Sequence, residues 1–139
     1  MLTNERQLLL PELSKLKDEP QEFEALALKI FRYQARNNSL YRRFLELLRR
    51  DPETISSIAE IPFLPISFFK SHDVKTGDWQ ETTAFTSSGT TGQIASRHLV
   101  RDQDFYVENT VQGFLPFYGD PADWVIFALL PSYLERSGS

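Results

Sequence analysis

The stretch Thr82-Thr-Ala-Phe-Thr-Ser-Ser-Gly-Thr-Thr-Gly-Gln-Ile-Ala-Ser-Arg-His-Leu-Val100 decides how the chain is read. Thr82–Thr86 is β-branched and aromatic and predicts a strand, and Ala95–Val100 predicts its neighbour. Between them lies a hydroxyl-rich loop punctuated by Gly89 and Gly92. Glycine permits positive φ, so backbone N–H groups there can turn inward as an anion-binding nest. Ser and Thr hydroxyls add donors that rotate onto phosphate oxygens. The candidate phosphate-binding residues are therefore Thr86, Ser87, Ser88, Gly89, Thr90, Thr91 and Gly92. No Gly-x-x-x-x-Gly-Lys spacing occurs, which excludes a Walker loop, and no Gly-x-Ser-x-Gly occurs, which excludes a nucleophile elbow. A solvated Ser/Thr/Gly linker has the same composition, and composition alone leaves both readings open.

Working outward toward the N-terminus, the chain reads as helical. Phe23, Leu26, Ala27, Ile30 and Phe31 recur at helical spacing. Asn37-Asn38-Ser39 breaks that helix and offers a cap for the next, in which Leu40, Tyr41, Phe44, Leu45 and Leu48 share a face. Asp51-Pro52 predicts a further short helix with Ile55, Ile58 and Ala59 on its apolar side. Ile61-Pro-Phe-Leu-Pro65 reads as extended, because a residue before proline is pushed out of the helical region. One helical turn is expected over Ile66–Ser71, and Thr76-Gly77-Asp78 signals a turn. Toward the C-terminus, Asp102 or Asp104 caps a helix carrying Val107, Val111, Phe114, Leu115 and Tyr118, which Pro116 and Gly119 end. Trp124–Leu130 is continuously apolar and predicts a strand buried on both faces of an α/β sheet. Such a strand needs parallel neighbours and covering layers that few residues remain to supply. The expected fold is thus a mixed α/β chain: helices over 1–50, then over 51–139 the first strands of a larger and incomplete nucleotide-binding domain.

Composition excludes several function classes. The chain has 139 residues, 41% apolar and 24% charged, enough to build a core. Lys and Arg number 15 against 19 Asp and Glu, so no global basic field is available to nucleic acid. Residues 1–50 hold 10 of the basic and 7 of the acidic side chains, leaving 5 and 12 for the remainder. Cysteine is absent, which removes disulfides, thiolate metal ligands and a nucleophilic thiol from these residues. With two histidines and no ligand spacing, no metal site is assigned. Leu8-Leu9-Leu10 stops at Pro11 and is too short for a secretory segment, and Val125–Leu130 is too short to span a bilayer. The expected location is the cytoplasm.

The order Thr-Ser-Ser-Gly-Thr-Thr-Gly resembles the phosphate-binding signature of the adenylate-forming superfamily. Ile61-Pro-Phe-Leu-Pro-Ile-Ser-Phe-Phe-Lys-Ser-His72 and Ala128-Leu-Leu-Pro-Ser-Tyr-Leu134 narrow the likeness to the LuxE-like acyl-protein synthetases, akin to phenylacetate–CoA ligases. The resemblance runs from about Ile61 to Ser139 and is weak over the first 50 residues. It implies an ATP-dependent acid–thiol ligase. A carboxylic or fatty acid attacks the α-phosphate of ATP in the presence of Mg²⁺, giving acyl-AMP. The acyl group then passes to a thiol, a protein Cys or coenzyme A. Residues 86–92 would hold the β- and γ-phosphates. Many superfamily members follow the last glycine with x-Pro-Lys, whereas Gln93-Ile94-Ala95 stands here, leaving Arg97 and His98 as auxiliary cations. Family members are several hundred residues long, so residues 1–139 alone are expected to be inactive and prone to oligomerise. The alternative is a non-catalytic interaction module or an inactive fragment.

Other side chains carry plainer expectations. Lys70 and His72 read as a solvated face after a buried Phe68-Phe69 pair. Arg42-Arg43 and Arg49-Arg50 read as a solvated helix face, open to an acidic partner. Phe63, Phe68, Phe69, Phe105, Phe114, Phe117 and Phe127 are expected mostly in the core.

Overall fold

The computed structural model describes residues 3–16, 19–87 and 95–127. These form five α-helices, four 3₁₀ turns and one two-stranded antiparallel sheet, a mixed α/β chain as expected. Two compact units result: Met1–Phe68 with Val74–Asp78, and Phe69–Asp73 with Trp79–Ser139.

The first unit is built on α1 (Thr3–Lys15), α2 (Phe23–Asn37) and α3 (Ser39–Leu47). Its buried cluster is Phe31, Ala35, Tyr41, Leu45 and Ile55, with Leu28, Phe44, Ile61 and Leu64 packed against it. The Tyr41 ring meets Phe31 edge-on at 6.0 Å and stacks on Phe44 at 6.4 Å, and its hydroxyl donates to the Pro62 carbonyl at 2.7 Å. The break between α2 and α3 is where the asparagine pair placed it. Asn38 is buried, and its Oδ1 accepts from the Tyr41 N–H at 3.0 Å. Pro11 sits inside α1, which is tied to α2 by Lys29–Glu12 at 2.7 Å and by Arg36–Glu5.

The helix expected from Asp51 does not form as one element. It breaks into two 3₁₀ turns, Pro52–Thr54 and Ile58–Glu60. Asp51 caps the first as expected, accepting from the Glu53 N–H at 3.0 Å. Ile55 then turns extended (φ −78°, ψ 123°) and buries its side chain, while its carbonyl accepts from the Arg32 guanidinium at 2.9 Å. The Glu60 carboxylate takes the Ser56 and Ser57 N–H groups at 2.9 and 3.1 Å. A distant partner, Arg32, and a local one, the Glu60 carboxylate, thus claim an acceptor and two donors that a continuous helix would have used.

The turn expected over Ile66–Ser71 is α4 (Phe68–Ser71). In the second unit β1 (Thr83–Thr86) pairs antiparallel with β2 (Arg97–Val100), each slightly shorter than predicted. Asp102 accepts from the Phe105 N–H at 3.0 Å and starts α5 (Gln103–Tyr118). Pro116 does not stop that helix. Proline forfeits one N–H two residues from the end, and the stop falls at Gly119, whose φ of 74° suits a residue without a Cβ.

Two expectations about burial are corrected. No strand forms over Trp124–Phe127, where Val125, Ile126 and Phe127 are 81%, 71% and 92% exposed. A strand requires a neighbour to pair its N–H and C=O groups, and the described sheet supplies only β1 and β2. The remainder of that predicted strand, residues 128–130, lies outside the described residues. Of the seven phenylalanines assigned to the core, Phe68, Phe69, Phe105 and Phe114 are half-buried while Phe63, Phe117 and Phe127 are exposed. The core is instead carried by α2 and α3, whose apolar residues recur every three to four positions.

Candidate functional site

The antiparallel register sets the base of the candidate loop. Thr86 lies opposite Arg97 and Phe85 opposite His98. One step beyond the strands, the Ser87 N–H donates to the Ser96 carbonyl at 3.0 Å, and the Ser96 N–H donates to Ser87 Oγ at 3.0 Å. The two chain ends from which the loop leaves are therefore fastened together by a backbone bond and a side-chain bond. Ser96 was not among the residues singled out from sequence, and only its pairing with Ser87 identifies it. Ser88, Gly89, Thr90, Thr91 and Gly92 lie outside the described residues.

Arg97 and His98 are both exposed on β2. The Arg97 guanidinium faces Asp73 at 3.4 Å and Glu81 at 3.9 Å. Exposed pairs at such distances contribute about 0–1 kcal/mol each, so an incoming anion can compete for this cation at small cost. Nothing in the spacing of Asp73 or Glu81 announced them as partners of Arg97. The His98 ring stacks on Phe69 with centroids 6.0 Å apart. Lys70 and His72 are exposed as expected, with Ser71 Oγ 2.8 Å from His72 Nδ1. Among the described residues no group of three or more His, Asp or Glu is placed to hold a metal ion.

Phe85 meets Tyr106 of α5 at 5.1 Å, and beside this contact runs an open cleft of about 390 Å³, lined by Trp79, His98, Val100, Phe105, Tyr106 and Thr110 among others. The second unit thus joins a fastened loop base, one cation held weakly by two carboxylates, and an aromatic cleft.

The family model described as "Acyl-protein synthetase, LuxE" matches residues 11–105, well over half of the chain. The chain belongs to the LuxE family of acyl-protein synthetases. The match starts within the helical N-terminal segment, where the resemblance read from motifs was weak, and it takes in the whole of 82–100. No curated protein and no solved structure matches the chain. LuxE membership assigns acyl-protein synthetase chemistry in general, a ligase acting on an acid and an acyl acceptor. Among the described residues of this LuxE chain, no helix is long and apolar enough to cross a membrane.

Proposed function

We propose that the protein activates a carboxylic or fatty acid with ATP and Mg²⁺ to an acyl-adenylate, and passes the acyl group to a thiol of an acceptor protein. The observation that carries this reading is the Thr86–Gly92 loop in a chain of the LuxE family, its two roots pinned by the Ser87–Ser96 bonds. In this reading the loop hydroxyls and N–H groups hold the β- and γ-phosphates. A carboxylate oxygen attacks the α-phosphorus, the new P–O bond forms, and pyrophosphate leaves with the electrons of the broken bond. Catalysis of such an in-line displacement lies in positioning and in neutralising charge on the leaving group. Arg97, lightly held by Asp73 and Glu81, is the auxiliary cation. The acceptor thiol comes from outside residues 1–139, which contain no cysteine.

Oxygen-18 in the substrate carboxylate tests this step in the full-length protein. Adenylation carries one labelled oxygen into AMP when the acyl group is transferred. Label appearing in inorganic phosphate, with ADP as the nucleotide product, would show an acyl-phosphate route and overturn the reading.

A further inference from the structure

We propose that Ser87 is a positioning residue for the nucleotide's phosphates: its side-chain oxygen ends the β1–β2 ladder and keeps Thr86 in register with Arg97, instead of contacting a phosphate itself. In an antiparallel ladder, two residues of a hydrogen-bonded pair exchange both of their N–H···O=C bonds. Ser87 and Ser96 face each other one step beyond Thr86 and Arg97, and their first bond is the ordinary one, from the Ser87 N–H to the Ser96 carbonyl at 3.0 Å. The return bond is not. The Ser96 N–H goes to Ser87 Oγ at 3.0 Å, where a continuing ladder would offer it the Ser87 carbonyl. A side chain thus stands in for the backbone at the last rung.

That substitution fixes what the hydroxyl can do. Swinging it onto an anion by rotation about χ1 would strip the Ser96 N–H of its acceptor. The sequence places eight residues, 88–95, between the two serines, Gly89 and Gly92 among them. Glycine restrains its own backbone least, so register at the roots of such a segment has to come from the roots themselves. Arg97 follows Ser96 directly, and its guanidinium is held only by exposed pairs to Asp73 at 3.4 Å and Glu81 at 3.9 Å. Exposed pairs of this kind fix a long side chain poorly. What places Arg97 is its backbone register opposite Thr86, and the Ser87–Ser96 clasp closes that register at its open end.

This inference rests on the ATP reading above, and its first test needs no nucleotide. Hydrogen exchange in the full-length protein is resolved to the Ser96 amide. Ser87→Ala should speed that exchange about two- to tenfold, the range expected for one lost hydrogen bond. Ser87→Thr keeps the oxygen and should restore the parent rate. The second test is equilibrium binding of MgATP, which Ser87→Ala should weaken by a similar factor and Ser87→Thr should not. Arg97→Ala should then cost less in the Ser87→Ala protein than in the parent, because the clasp acts through the register of Arg97. Additive losses, or weakened MgATP binding with Ser96 exchange unchanged, would make Ser87 a direct phosphate ligand and overturn the proposal. Faster Ser96 exchange with MgATP binding unchanged would reduce the clasp to a structural tie and overturn it equally. No MgATP binding by the parent protein would remove the ATP reading and this role with it, while the Ser96 amide would still report whether the clasp exists.

Discussion

At the scale of single residues, Asn38 and Tyr41 carry predictions of different kinds. Asn38→Ala removes the acceptor for the Tyr41 N–H at the start of α3, in a buried setting where water cannot replace it. The expected loss is about 1–2 kcal/mol, measured by urea unfolding. Burial holds the Tyr41 phenol up to about 12, from its ordinary 10.0. Because the folded state binds this proton more tightly than the unfolded chain does, its contribution is complete below about pH 10 and is lost as pH rises toward 12. Tyr41→Phe should lower stability at neutral pH by about 1 kcal/mol, through loss of the bond to Pro62. It should also flatten the fall in stability between pH 10 and 12 relative to the parent protein. An identical alkaline profile in the two proteins would contradict the assignment.

At the scale of elements, legibility followed from how local the determinants were. The α2–α3 break was readable because Asn38 acts on an N–H three residues away, and the β1–β2 pair because Thr83, Phe85, Thr86 and Val100 favour strands and a Ser/Thr/Gly stretch separates the two runs. The run after Asp51 was not, since its division depends in part on Arg32 reaching the Ile55 carbonyl from 23 residues away, beside the local Glu60 carboxylate on Ser56 and Ser57. Arg97 shows the same limit at the candidate site: its position opposite Thr86 follows from the hairpin, but its partners Asp73 and Glu81 follow only from the fold. The core deceived for another reason. Phenylalanine marks apolar surface without saying which surface is covered, whereas helical spacing picked out Leu26, Phe31, Tyr41 and Leu45, all of them buried. Leu45, 2% exposed, is the sharpest test of that core: Leu45→Ala should cost about 2–5 kcal/mol in denaturant unfolding. The loop is expected to behave oppositely. Thr90→Val/Thr91→Val should leave the unfolding midpoint in place while lowering acid-dependent exchange, each lost bond to a charged phosphate costing about 1.5–3 kcal/mol.

At the scale of the whole molecule, the chain has two compact units with different material. The helical unit has a buried aromatic and aliphatic cluster, and the unit with the hairpin leaves the contiguous Val125, Ile126 and Phe127 exposed. Contiguous apolar residues of this kind promote association. Residues 1–139 should therefore sediment as more than a monomer, and Ile126→Asp/Phe127→Asp should shift them toward the monomer. The same unit carries the loop on which the account of activity turns. The most direct measurement of that account is ATP–pyrophosphate exchange by the full-length protein against a panel of short, long and aryl carboxylic acids. Acyl-adenylate formation predicts incorporation of labelled pyrophosphate into ATP that depends on one class of acid and on the hydroxyls of Thr90 and Thr91. An absence of acid-dependent exchange across the whole panel would contradict it.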